Sequence, residues 1–327
     1  MILALETSCD DTCAAVVTRA GEIRASVISS QGVHDRYGGV VPEIASRQHL
    51  ELVNAVVDDA LDRAGVDLDD VGLVAATRGP GLVAALLVGL QTAKALAAAR
   101  ELPFAAVDHL HGHVAANFLA PDPLEPPFLC LIASGGHTLL AQVDSHVAWK
   151  VLGRTLDDAA GEAFDKGARL LGLGYPGGAA LERLAAGGDP EAFAFPTAQG
   201  VPGLDFSFAG LKTSLVYAVR DMGEEETTRR RADLAASYQR AIVTSLVQRT
   251  ERALEQTGAE CLAIGGGVAA NGELRARLAG LATPVRVPPP ELCTDNAAMI
   301  AAAALHSEPV DYPGYLGLDV YATGEVA

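Results

Sequence analysis

The sequence predicts an α/β protein made of two related lobes, and three observations lead to that expectation. Short apolar runs alternate with stretches of helical period along the chain, the pattern of strands and helices layered on one another. The 327 residues, 50% of them hydrophobic, provide more core than one ordinary domain holds. The stretch FLCLIASGGHTLLAQV (128–143) can be laid on the opening MILALETSCDDTCAAVV (1–17). Each is an apolar strand, a turn of small polar residues and a second apolar strand, as a duplicated unit requires.

Taken in order, MILALE, TCAAVVT and IRASVIS read as consecutive strands, with a hairpin at the front of the fold. An amphipathic helix follows around residues 47–64, then the strand VGLVAAT. The Pro-rich APDPLEPP (120–127) makes a hinge, because proline breaks helix and ladder alike. Beyond residue 150 the chain turns mainly helical. In TLDDAAGEAFDKGARLLGLG, Leu156, Ala160, Ala163, Phe164, Ala168 and Leu171 fall at helical spacing, and Gly172 and Gly174 supply the stop. Thr227 to Gln256 reads as one long helix with its charges on one side. The strand CLAIGGG follows, and a helix opens after its glycines in VAANGELRARLAG.

The balance of 24 Lys and Arg against 41 Asp and Glu, a net charge of −17, excludes a chain that grips a polyanion unaided, since Lys and Arg at phosphates supply most of that affinity. A nucleic-acid substrate needs a local basic strip or a basic partner. Arg19, Arg24, Arg36 and Arg47 fall in the first lobe, and Arg229, Arg230 and Arg231 form a short run, although such a run is usually a solvated face. Five cysteines at irregular spacing make neither a disulfide framework nor a Cys-rich zinc site. The opening MILALETSCD has no basic segment ahead of an apolar one, and no run is long and uncharged enough to span a bilayer. The expected location is the cytoplasm, with no membrane partner.

Three glycine-rich turns follow apolar strands: RGPGL (78–82), SGGHT (134–138) and GGG (265–267). Such turns bring backbone amides close to an anion, and a following helix adds a favourable partial charge. None matches the P-loop or the dinucleotide fingerprint. A phosphate-bearing ligand and plain turns remain equal readings. In DHLHGH (108–113), His109 and His113 lie four residues apart, on one face of a helix, while His111 points elsewhere. Zinc proteases hold two imidazoles on a metal this way, but their HExxH motif needs a Glu where Leu110 stands. Asp295 in CTDNAAMIAAAAL offers a third ligand, and two His with one carboxylate suit Fe(II) or Zn(II). Two satisfied histidines and an Asp295 that caps its helix fit the same spacing.

The motifs ETSCDDT, YGGVVPEIASR, GPGLVAALLVG, HLHGH, SGGHT, DDAAGEAFDK, LGLGYPGG, FSFAGLKT, GGGVAANGELR and CTDNAAMIA run in order from residue 2 to about 306. Together they resemble the signature set of the TsaD/Gcp family. The resemblance implies a two-lobed actin-like (ASKHA) ATPase-type fold with duplicated lobes. Its N-terminal lobe would span 1–125, completed by a C-terminal helix over about 294–327, and its C-terminal lobe 126–293. It implies transfer of a threonylcarbamoyl group from threonylcarbamoyl-AMP to N6 of adenosine 37 in tRNAs reading codons that start with A, giving t6A and AMP. His109, His113 and Asp295 would hold one divalent metal, Fe(II) or Zn(II). Ile132, Ala133, Ser134, Gly135 and Gly136, with Asp165, Gly178 and Asn271, would hold the adenylate. Ser8 and Asp11, on the first polar turn, would serve the chemistry, with the base either Asp11 or a group on the metal. His111 stands where many members carry Glu, and Ala209 where Ser is common. The donor is already activated, so no covalent nucleophile is needed, and Cys9 and Cys13 read as packing residues. A bacterial member would work with TsaB, through the first lobe, and with TsaE; an archaeal one with KEOPS-type subunits. tRNA would be bound through the complex. The rival readings are a metalloprotease, which Leu110 opposes, and a non-catalytic scaffold, which would not need the three ligands to converge.

Overall fold

The computed structural model describes residues 1–197 and 200–323. The chain opens with strands β1 (Ile2–Glu6), β2 (Asp11–Val17) and β3 (Ile23–Ser30). Then follow α1 (Pro42–Ala64), β4 (Leu73–Gly79), α2 (Val83–Ala99), β5 (Phe104–Asp108) and α3 (His109–Ala115). α1 begins ahead of the apolar periodicity at 47, because Pro42 stands at its first turn, where the fixed φ is preorganised and a missing N–H costs nothing. Gly65, at φ 67°, ends it.

The second half contains β6 (Phe128–Ala133), β7 (Thr138–Val143), β8 (Trp149–Arg154), α4 (Ala160–Leu170), α5 (Gly178–Ala185), α6 (Ala209–Arg229) and α7 (Arg231–Thr257). After them come β9 (Leu262–Gly265), α8 (Gly272–Ala279), β10 (Val285–Arg286), α9 (Pro290–Cys293) and α10 (Ala297–His306). Leu156, placed by its spacing on the face of α4, instead lies exposed ahead of it. Its amide pairs with the Phe206 carbonyl, and Asp157 accepts from the amides of Phe208 and Ala209, so polar bonds to a segment about 50 residues further on hold this stretch out of the helix. The stretch 227–256 is divided between α6 and α7. Arg230 leaves helical geometry (φ −103°, ψ 17°), stacked on the Phe193 ring and paired with Asp233. α10 ends at His306 rather than continuing, and Val310 then pairs with Phe104 as a β-bridge. The last part of the span foreseen as C-terminal helix, 324–327, lies outside the described residues.

Two compact units result. One comprises Met1–Pro126, Asp144–Trp149 and the chain from Pro288 onward; the other comprises Pro127–Val143 and Lys150–Val287. The first holds a sheet of order β3-β2-β1-β4-β5, with β1 antiparallel to β2 and parallel to β4. α1 packs on β2 and β3, α2 on β4, and α10 on β1, β2 and β4. β1 is therefore buried throughout, as a strand covered on both faces must be. Leu3, Leu5, Ala14 and Val16 meet Val53, Val56, Ala60 and Leu90 in one core, each large side chain contributing about 1.5–3 kcal/mol. The second unit repeats the order as β8-β7-β6-β9-β10, again with its first strand antiparallel to the second and parallel to the next. Among the described residues no helix is long and apolar enough to cross a membrane.

Candidate functional site

In the first unit β5 runs directly into α3. The Asp108 carboxylate accepts from the amides of Leu110 (2.8 Å) and His111 (3.1 Å) and so caps the helix. One turn of helix then stacks His109 beneath His113, their rings 4.8 Å apart and edge to face. Gly112 lets α10 approach, since a Cβ there would stand 2.9 Å from Ile300 Cδ1. The approach brings up Asp295, the residue before the cap of α10. That cap is Asn296, whose side chain accepts from the Met299 amide at 2.8 Å. The capping reading of Asp295 is thereby excluded, and its Oδ1 lies 3.6 Å from His109 Nε2 and 3.3 Å from His113 Nε2.

These three residues could hold a metal ion, and their chemistry fits one. His113 is fully buried, yet neither ring nitrogen has a hydrogen-bond partner among the described residues; its approach to Asp295 is not a hydrogen bond. Such a group is costly without a ligand. His109 Nδ1 lies 3.0 Å from Glu6 Oε2 and 3.2 Å from Ser8 Oγ. With Nδ1 turned to Glu6, Nε2 faces Asp295, the carboxylate–histidine arrangement that orients metal ligands. Glu6 is held in turn by the Thr77 hydroxyl, at 2.5 Å, and by the Ser8 amide. Burial depresses the His109 pKa, but the Asp295 and Glu6 carboxylates overcome it and hold it at about 9. Burial pushes Glu6 up, and His109 beside it brings the carboxyl below its ordinary value. The pocket thus favours positive charge. The side chain of Asp295 keeps 23% of its exposure, so the group opens to solvent on that side.

His111 does not compete as a ligand. Its Nε2 meets the His146 carbonyl at 2.8 Å and its ring stacks on Trp149. Leu110, at the place of the protease base, is buried and apolar. Ser8 is brought against His109, whereas Asp11 sits at the start of β2, bonded to Ser30, with its carboxyl pushed up to about 6 chiefly by burial. Burial and the neighbouring acids push the Cys9 and Cys13 thiols up, so both stay protonated and unreactive. Glu6 was missed in the sequence, where the one available signal was an acid closing an otherwise apolar strand.

In the second unit Ile132 and Ala133 end β6, and Ser134 closes a turn on His137, N to O at 2.7 Å. Gly135 and Gly136 face open space. Gly161, opening α4, is required by the close approach of this turn, for a Cβ there would meet the Ser134 carbonyl at 2.6 Å. Asp165 and Gly178 are brought together, the Asp165 carboxylate accepting from the amides of Gly177 (2.7 Å) and Gly178 (3.2 Å). Asn271 caps α8 through the Leu274 amide and donates to Gln239. Of the other glycine turns, Gly266 (φ 87°) lies against the Ala133 carbonyl, which makes it a packing element. Within the arginine run, Arg229 pairs with Glu226 and Arg230 with Asp233, as on a solvated face, whereas the Arg231 Nε is buried with no hydrogen-bond partner among the described residues.

The profile of the family described as tRNA N6-adenosine threonylcarbamoyltransferase matches residues 22–302. A protein of that name from Symbiobacterium thermophilum is 52% identical over 311 residues, covering 94% of this chain and 91% of its own. One from Pelobacter propionicus is 48% identical over 334 residues, covering 100% and 97%. Among solved structures, HypF from T. kodakarensis aligns with a TM-score of 0.62 at 15% identity, over 93% of this chain and 47% of its own. Component A of (R)-2-hydroxyglutaryl-CoA dehydratase from Acidaminococcus fermentans aligns with a TM-score of 0.55 at 14% identity, over 93% and 95%. At that identity the structures speak for the fold alone, which is actin-like (ASKHA).

Proposed function

The chain belongs to the tRNA N6-adenosine threonylcarbamoyltransferase family and is an acyltransferase; on that premise we propose that it takes the threonylcarbamoyl group from threonylcarbamoyl-AMP and places it on N6 of adenosine 37, in tRNAs reading codons that start with A. The N6–carbonyl bond forms, the carbonyl–O–phosphate bond breaks, AMP leaves, and N6 gives up one proton. The observation that carries the reading is the convergence of His109 Nε2 and His113 Nε2 on Asp295, with His113 otherwise unpartnered. A bound Fe(II) or Zn(II) would supply electrophilic polarisation of the carbonyl.

The chain's own residues do the rest. Glu6 and Ser8 fix the ring orientation of His109. The open turn at Ser134–Gly136, with Ile132 and Ala133 before it, offers the Gly135 and Gly136 backbone to the phosphate of the adenylate. Asp165 shapes the Gly178 amide, and Asn271 the start of α8, for the same ligand. Asp11, with a carboxyl near 6, suits the role of proton acceptor at neutral pH. The net charge of −17 calls for a partner in gripping tRNA; a bacterial setting supplies TsaB and TsaE, an archaeal one KEOPS-type subunits, in the cytoplasm.

Nucleoside mass spectrometry tests the reading in cells depleted of their own enzyme. The intact chain restores t6A, and His113→Ala lowers the yield by about a hundredfold or more. Equal restoration by both would remove the metal from the account.

A further inference from the structure

The segment 316–322 is bound back onto the first unit by groups that have no evident role in the transfer. Lys94, buried in α2, donates to the carbonyls of Leu316 (2.8 Å) and Leu318 (2.9 Å). A buried ammonium that serves two backbone carbonyls and, among the described residues, pairs with no carboxylate is an uncommon arrangement, since burying a charge is costly unless its neighbours are well placed. Arg78 continues the attachment: its Nε donates to the Asp319 carbonyl at 2.7 Å, its guanidinium lies 5.8 Å from the Tyr321 ring centre, and its own carbonyl accepts from the Tyr321 amide at 3.2 Å. The Gly81 amide then donates to the Ala322 carbonyl at 3.1 Å.

All these contacts deliver one hydroxyl to one place. Tyr321 Oη donates to Asp108 Oδ2 at 2.6 Å, while Oδ1 of the same carboxylate receives the Leu110 and His111 amides. Asp108 is the cap of α3 and the residue next to His109. A carboxylate held from one side only can swing about its χ angles; held on both oxygens it fixes the first turn of the helix. Burial and the Asp108 carboxylate both keep the phenol protonated, so the hydroxyl stays a donor. Gly81, which Ala322 holds, packs on Ser8, where a Cβ would stand 2.7 Å from the Ser8 carbonyl, and Ser8 in turn touches His109.

We propose that Tyr321 is a positioning residue for the metal centre, acting through Asp108 to set the start of α3 and the place of His109. The proposal rests on reading His109 as a metal ligand. Tyr321→Phe keeps the ring and removes only the donor. Two readouts on the full chain follow it: zinc affinity by competition with a chelator, and hydrogen exchange at the Leu110 and His111 amides. The variant is expected to bind zinc roughly threefold to tenfold more weakly and to exchange both amides faster by a similar factor, with the melting temperature held. In the t6A assay kcat falls and KM for tRNA stays. Wild-type zinc affinity and exchange in Tyr321→Phe would overturn the proposal while leaving the metal reading intact. A wild-type chain that takes up no zinc would overturn both.

Discussion

The turn from β1 to β2 and the turn from β6 to β7 occupy the same place in two sheets of the same strand order, yet they are chemically opposite. In the first, the strand closes on Glu6, opposite Cys13, and the acid is buried against His109 and Thr77. In the second, the matching position is Ala133, opposite Thr138, and the residues beyond it are Ser134 and two glycines facing open space. One turn gathers charge in a largely buried pocket; the other presents two glycines to open space and bears no carboxylate. A repeated scaffold thus sets where these groups stand, and the residue closing the central strand, Glu6 in one sheet and Ala133 in the other, sets the charge at that place.

The largest effect within this comparison is expected from Glu6. Glu6→Gln keeps the shape and removes the charge, and metal affinity falls about 10- to 100-fold when measured against a competing chelator. Unchanged affinity would mean that the buried acid is not what separates the two turns. Gly161→Ala acts on the other turn, forcing the Ser134 carbonyl aside. Calorimetry with AMP is expected to show about tenfold weaker binding, ~1.4 kcal/mol, at unaltered metal content; loss of metal instead would break the division of labour.

The last expected change is in stability rather than in binding. Asp11, with a folded carboxyl near 6 against about 3.9 unfolded, binds its proton more tightly in the folded state. Its contribution is complete below about pH 4 and is lost as pH rises through about 6. Asp11→Asn is therefore expected to gain about 1–3 kcal/mol over the wild type at pH 7.5 and nothing at pH 4, read from denaturant midpoints. A gain independent of pH would show that the carboxyl is not displaced.

Much of this was legible in the sequence for physical reasons. The apolar strands announce themselves by composition, and a four-residue interval needs only the helical repeat to put His109 and His113 together. Glu6 could not be read the same way, because its partner lies 103 residues further on and nothing local marks the pair. Asp295 and Asn296 are neighbours of similar type, so which one caps α10 became evident only in the fold. The break at Arg230 depends on Phe193, a contact no window of sequence contains. Leu156 had the right spacing for a helix that Asp157 prevents.

The most direct measurement is a cobalt(II) titration followed by its visible absorption, on the wild type, His113→Ala and Gly161→Ala. The account predicts about one equivalent, held by nitrogen and oxygen ligands, in the wild type and in Gly161→Ala, and none in His113→Ala. Equal uptake by His113→Ala would contradict it.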